Sequence, residues 1–315
     1  MYGEAAKGLI EKVLDLKKRK KAVILAHYYQ RAEIQDVADD IGDSLYLAQQ
    51  ALKINSDRVV LAGVNFMAET AKILNPGKTV LVPDHNAGCS LADSCEPAEL
   101  KKFMAKHPGH TVVSYINCSA EIKAMSDLVC TSSNAIKMIN SIPSDRPIIF
   151  LPDKNLGKYL AQETGRNLVL WDGVCSVHEA FSLDKIIELY QKHPEAKLIA
   201  HPESDEKLLK VAHFIGSTKA LLEYAKTDPS KEYIVATEMG ILHQARKALP
   251  GKRFIPAPVN EDNTCACSEC PYMKMNTLEK VYLCLKNDSP QVEVDKEIRQ
   301  KALSPLKRML ELSMN

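Results

Sequence analysis

Short apolar runs separated by amphipathic stretches set the rhythm of this chain, and the rhythm recurs three times. The runs VILAHYYQ (23–30), VVSYINCS (112–119) and KLIAHPES (197–204) open on Val, Ile and Leu without polar alternation and end on polar residues. Strands of this kind are buried on both faces, as in parallel sheets. Each is followed by a helical stretch and then by a hydroxyl-rich segment predicted to start a helix: GDSLYLAQQAL (42–52), TSSNAIKMI (131–139) and GSTKALLEYA (216–225). The step from strand end to hydroxyl is 17 residues each time, from His27 to Ser44, Tyr115 to Ser132 and His201 to Thr218. Second and third strands are predicted at 58–66 and 78–84, at 146–153 and 166–174, and at 231–239 and 252–259. Three imperfect copies of one unit account for the spacing.

Alternating strands and helices predict an α/β fold: three pseudo-threefold-related αβα domains with short, mostly parallel sheets around a common axis. The expected boundaries are 1–90, 91–176 and 177–290. An amphipathic C-terminal segment, 291–315, broken at Pro305, is expected to join the first domain. Ligands of such sheets gather beyond the carboxyl ends of the strands, where His27, Tyr115 and His201 fall.

Composition narrows the partners. A net charge of +1 gives no reason to expect nucleic acid or an anionic membrane surface. No apolar run approaches the length of a membrane span, and the N-terminus lacks the apolar stretch of a secretory signal. The basic run 17–21 reads as a solvated helix end meeting its dipole. A cytoplasmic location is expected, and there nine cysteines argue for metal or redox chemistry over a disulfide scaffold.

Three of those cysteines, Cys89, Cys175 and Cys270, follow the repeat at intervals of 86 and 95 residues. Three thiolates do not close a structural tetrahedral zinc site, but they can hold three irons of a cubane and leave the fourth open as a Lewis acid. The run Cys265-x-Cys267-x-x-Cys270 competes locally as a zinc site or redox disulfide. Alignment with the repeat favours one ligand from this loop. Cys95, Cys118, Cys130 and Cys284 read as small buried hydrophobes.

Ser44, Ser132, Ser217 and Thr218 read as helix starts. Helix N-termini converging on one axis would also present free N–H groups to carboxylates or phosphate. His27, His178 and His201 are candidates to bind a carboxylate or shuttle a proton. Tyr29 and Tyr115 offer phenol donors and Glu203 a carboxylate base. Asn117, two residues after Tyr115, is expected to face the same pocket. Glu69, Asp153 and Glu238 read as second-strand-end charges serving helix starts or domain interfaces.

The motifs AHYYQ, FMAETAK, PDHNAGCSLAD, SYIN, CTSSNA, LPDKNLG, WDGVCSVHE, AHPE, GST, TEMG and CPYMKMN occur in one order between about residues 20 and 285. Together they resemble the quinolinate synthase family of bacterial and archaeal NAD biosynthesis. The resemblance implies three αβα domains around a 4Fe–4S cluster. It also implies a carbon–carbon bond-forming transferase that condenses iminoaspartate with dihydroxyacetone phosphate into quinolinate, phosphate and water. An L-aspartate oxidase or dehydrogenase would supply the iminoaspartate. Carried over motif by motif, the cluster ligands fall on Cys89, Cys175 and Cys270, the last because it directly precedes P-Y-M. Substrate positions fall on His27, Tyr29, Ser44, Tyr115, Asn117, Ser132, His178, His201, Glu203 and Thr218. A 4Fe–4S hydro-lyase acting on another small dicarboxylate would use the same open iron, whereas a zinc or cluster sensor would use the local cysteine loop alone.

Overall fold

The computed structural model describes residues 3–260 and 268–314. Its strands form three parallel sheets of four strands each. The first contains β1 (Ala22–His27), β2 (Asp40–Gly42), β3 (Arg58–Ala62) and β4 (Thr79–Leu81) in the order β2-β1-β3-β4. The second repeats this order with β5 (Thr111–Tyr115), β6 (Leu128–Cys130), β7 (Ile148–Leu151) and β8 (Leu168–Leu170). The third does so with β9 (Lys197–Ala200), β10 (Phe214–Ile215), β11 (Glu232–Ala236) and β12 (Arg253–Pro256). The α/β class and the three αβα units expected from the apolar runs are therefore present.

Register repeats with topology. Ala26 pairs with Ala62, Ser114 with Leu151, and Ala200 with Ala236, so the residues that follow stand at matching places in each unit. Central strands such as Ile148–Leu151 are buried throughout because helices cover both sheet faces. The edge strands β2, β6 and β10 are absent from the sequence reading. At two or three residues they are too short to show a period.

The last helices fold back across the molecule. Helix Leu278–Asn287 packs on helix Glu4–Arg19 and β3. Helix Lys296–Met314 lies against β6 and helices Ala120–Ala124 and Ala135–Asn140 of the second unit, and against helix Asn65–Leu74 of the first. It runs through Pro305, which is buried, instead of breaking there. No helix of the described residues is long and apolar enough to cross a membrane.

Candidate active site

The carboxyl ends of the three sheets face one cavity. His27 and Tyr115 close β1 and β5, and His201 follows β9; all three line the cavity. Two residues further along the chain, Tyr29, Asn117 and Glu203 line it as well, as alternation along an extended backbone requires.

Each of the three repeat cysteines occupies the N-cap of a four-residue helix at the cavity wall. Cys89 precedes Ser90–Asp93, Cys175 precedes Ser176–Glu179, and Cys270 precedes Pro271–Lys274. No cap hydrogen bond forms, yet the amides of Leu91 and Ala92, of His178, and of Tyr272 and Met273 act on the respective sulfurs and oppose the effect of burial. Burial prevails. It pushes the Cys89 thiol up to about 12, Cys270 to about 11 and Cys175 well above its ordinary value. Mutual repulsion adds to this, since Cys270 raises Cys89 and both raise Cys175. Three sulfurs that raise one another in this way need a positive charge among them to ionise together, so the donor set suits a cationic metal group that takes sulfur ligands. Among the described residues, the ligand atoms of Cys175, His178 and Glu203 also lie within 4.8 Å of one another. Cys265 and Cys267 fall outside the described residues.

A hydrogen-bonded chain runs from this centre across the units. Glu203, fully buried, accepts the Tyr115 hydroxyl at 2.5 Å and lies 2.8 Å from His178 Nδ1. Burial alone would raise its carboxyl; the pull of His178 and the two hydrogen bonds outweigh burial and hold it below the ordinary carboxylate range. His178 Nε2 lies 3.0 Å from Thr237 Oγ1, which is 2.8 Å from the Tyr29 hydroxyl, itself 2.7 Å from Thr218 Oγ1. Burial, with the nearby Glu203 charge, pushes both Tyr29 and Tyr115 well above the ordinary phenol value.

His27 and His201 are held alike. The Nδ1 of each accepts the backbone N–H two residues on, from Tyr29 at 3.2 Å and from Glu203 at 3.4 Å. Burial lowers both to about 3, so both rings are neutral at pH 7. With Nδ1 accepting, the ring proton sits on Nε2. His201 Nε2 lies 3.1 Å from Ser132 Oγ.

The hydroxyl positions differ from the sequence reading. Ser44 and Thr218 are first residues of helices Ser44–Lys53 and Thr218–Thr227, and both line the cavity. The caps are the residues before them: Asp43 accepts the Tyr46 N–H at 2.9 Å and Ser217 that of Ala220 at 3.3 Å. Ser217 is not part of the cavity lining. Ser132 lines the cavity but starts no helix, because Thr131 and Asn134 close a turn there and helix Ala135–Asn140 begins later. Of the three hydroxyl-rich segments, therefore, two and not three start a helix on the cavity, those of Ser44 and Thr218. Ser133, a position the sequence did not single out, joins the units by donating to Asp43 Oδ2 at 2.6 Å while lying 2.8 Å from Ser217 Oγ. Thr237 and Asp43 were missed as well: beside partners in their own units, each has one in another, Tyr29 for Thr237 and Ser133 for Asp43.

Of the acidic residues read as structural, Asp153 caps helix Lys154–Thr164. Glu69 sits inside helix Asn65–Leu74, not at a strand end, and binds the Ala120 N–H of the second unit at 2.9 Å. Glu238 is fully buried and lines the cavity. The Asn117 Oδ1 atom is buried without a hydrogen-bond partner among the described residues and belongs to a cavity-lining residue.

Comparison with known proteins adds the family. The model of the family described as quinolinate synthetase A protein, NadA, matches residues 11–311. A relative named quinolinate synthase from Microcystis aeruginosa is 60% identical over 305 residues, which is 97% of this chain and 95% of the relative. Another from Trichormus variabilis is 62% identical over 298 residues, 95% of this chain and 91% of the relative. A third from Nostoc punctiforme is 59% identical over 312 residues, 99% and 96%. With a family match of this extent and relatives this similar end to end, the chain belongs to the quinolinate synthetase A family of enzymes.

Proposed function

We propose that this enzyme condenses iminoaspartate with dihydroxyacetone phosphate to quinolinate, phosphate and water, with a 4Fe–4S cluster held by Cys89, Cys175 and Cys270. The observation that carries the reading is that three units each bring one helix-capping cysteine to the wall of a single cavity lined by His27, His201, Tyr29, Tyr115 and Glu203. Three protein ligands leave one iron of a cubane without a side chain, and when bound the cluster supplies Lewis acidity toward a substrate oxygen.

The chain's own residues supply the rest. Ser44, Thr218 and the helix starts behind them receive the anionic groups of the substrates, with Ser132 beside them. Ser217 acts one step back, fixing the helix start as its cap. His27 and His201, neutral and carrying their protons on Nε2, donate to substrate carboxylates without adding charge. Glu203 is the proton acceptor, kept ionised by Tyr115 and His178. Tyr29 and Tyr115, whose phenols stay protonated, are proton donors. Asn117, whose buried oxygen lacks a partner among the described residues, accepts from substrate. The reaction takes place in the cytoplasm, where an L-aspartate oxidase or dehydrogenase supplies the unstable imine.

Anaerobic assay of reconstituted enzyme with both substrates tests the reading. Appearance of pyridine-dicarboxylate absorbance supports it. Turnover of another dicarboxylate, with none of these two, replaces it with a hydro-lyase.

A further inference from the structure

The Cys89 and Cys175 helices are joined directly, since Ser90 Oγ accepts the Ser176 N–H at 3.2 Å. The Cys270 helix is anchored differently. Lys274, its last residue, places Nζ 2.8 Å from Glu238 Oε1 and donates to the Tyr29 carbonyl oxygen at 2.7 Å. Glu238 Oε1 also accepts the Cys270 N–H at 3.1 Å, and its Oε2 accepts the Gly240 N–H at 2.7 Å. A fully buried carboxylate therefore grips the Cys270 peptide while its counter-ion grips the Tyr29 peptide. Arg31 Nη2 holds the Lys274 carbonyl oxygen at 3.1 Å, so the first unit fastens the helix from both sides of the same residue.

Lys274 stays outside the active-site cavity. It lines a second cavity, between the first and third units, together with Gln30, Met239 and Glu269. Their chain neighbours Met273, Tyr29, Glu238 and Cys270 line the first. One layer of residues separates the two, and Lys274 stands on the far side of it. Its hydrogen bonds and ion pair reach that cavity through the Cys270 and Tyr29 peptides, and its charge also acts on His27.

We propose that Lys274, acting through Glu238, is the positioning residue that fixes Cys270 relative to Tyr29, and with it the metal centre relative to the Tyr29 hydroxyl. This deepens the cluster reading above and rests on it. A buried pair of this kind contributes orientation more than net stability, and outer-sphere partners of metal ligands typically change affinity or activity by about 10–100-fold when removed.

Wild type, Lys274→Met and Lys274→Arg should be reconstituted anaerobically. Iron and sulfide content, the electron paramagnetic resonance signal of the reduced cluster, and kcat and KM for both substrates are then compared. Lys274→Met is expected to hold wild-type iron and sulfide, to show a shifted resonance signal, and to lose about 10–100-fold in kcat with KM within about threefold. Lys274→Arg should recover the signal and most of kcat. Wild-type signal and kcat in Lys274→Met overturn the proposal, as does lost kcat with an unshifted signal. Should Lys274→Met not fold, Glu238→Gln carries the same readouts: it removes the ion pair and leaves one oxygen to accept from the Cys270 or the Gly240 amide. A wild-type protein that binds no iron rejects the cluster reading itself, before any variant is compared.

Discussion

Tyr115 donates its hydroxyl to Glu203 Oε1 at 2.5 Å, although the two stand 88 residues apart and at strand ends of different units. The second carboxylate oxygen faces His178 Nδ1, which is itself 3.2 Å from Cys175 Sγ. A phenol, a carboxylate and the Cys175 sulfur are thus linked through three contacts, the last two by way of His178. Glu203→Gln keeps the shape and removes the basicity, so kcat should fall by about 10²–10⁴-fold with circular dichroism unchanged. Tyr115→Phe leaves a buried carboxylate short of a partner and should also cost about 1–3 kcal/mol of stability by urea denaturation. Normal turnover in Glu203→Gln would exclude it as the base.

Ser132 and Ser133 are neighbours with different tasks. Ser133 ties Asp43 to Ser217, and Ser133→Ala should lower stability by about 1 kcal/mol through the lost hydrogen bonds. Ser132→Ala and Ser44→Ala should instead raise KM with little change in melting temperature. Unchanged Michaelis constants with a lowered melting point would reject the substrate-contact reading for those two.

The two buried histidines predict an acid limit to stability. Their folded pKa values, about 3, lie below the ordinary 6.5, so the unfolded chain binds more protons between those values. Their contribution is fully present above about pH 6.5 and is lost as pH falls towards 3, at up to about 1.4 kcal/mol per pH unit for each ring. Urea midpoints of the cluster-free chain measured from pH 7.5 down to pH 5 should decline, and His27→Asn should flatten the slope. An equal slope in the variant would show that His27 does not titrate this way.

Gly240 sits where the third unit meets the first. A Cβ there would lie 2.8 Å from Glu238 Oε2, the Tyr28 carbonyl oxygen and the Tyr29 carbonyl carbon. Gly240→Ala should therefore destabilise by about 1–3 kcal/mol. Gly8, inside helix Glu4–Arg19, has nothing within 4 Å of that position, and Gly8→Ala should stabilise by about 0.5–1 kcal/mol. Thermal melts of the two variants with opposite signs are the expected result.

Much of the fold was legible because fully buried parallel strands leave uninterrupted Val, Ile and Leu runs, and β1 and β5 end on, and β9 just before, the polar residue that the pattern marks. The 17-residue step carried less than it promised. It located Ser44 and Thr218 at helix starts, but at Ser132 the Thr131–Asn134 turn delays the helix, a local hydrogen-bond choice that spacing does not encode. Ser133 and Thr237 were illegible because they act through contacts between units, as does the second oxygen of Asp43, whose first caps its own helix. Pro305 looked like a break from propensity alone, whereas burial of Leu306, Met309 and Leu310 against the rest of the core carries the helix through it.

The central claim is that one thiolate from each unit holds a single cluster, and metal content tests it most directly. After anaerobic reconstitution the wild-type chain should hold about four irons and four sulfides, and Cys89→Ala, Cys175→Ala and Cys270→Ala should each lose them. Full iron and sulfide in any one of these variants, or a single zinc in place of the cluster, would contradict the account.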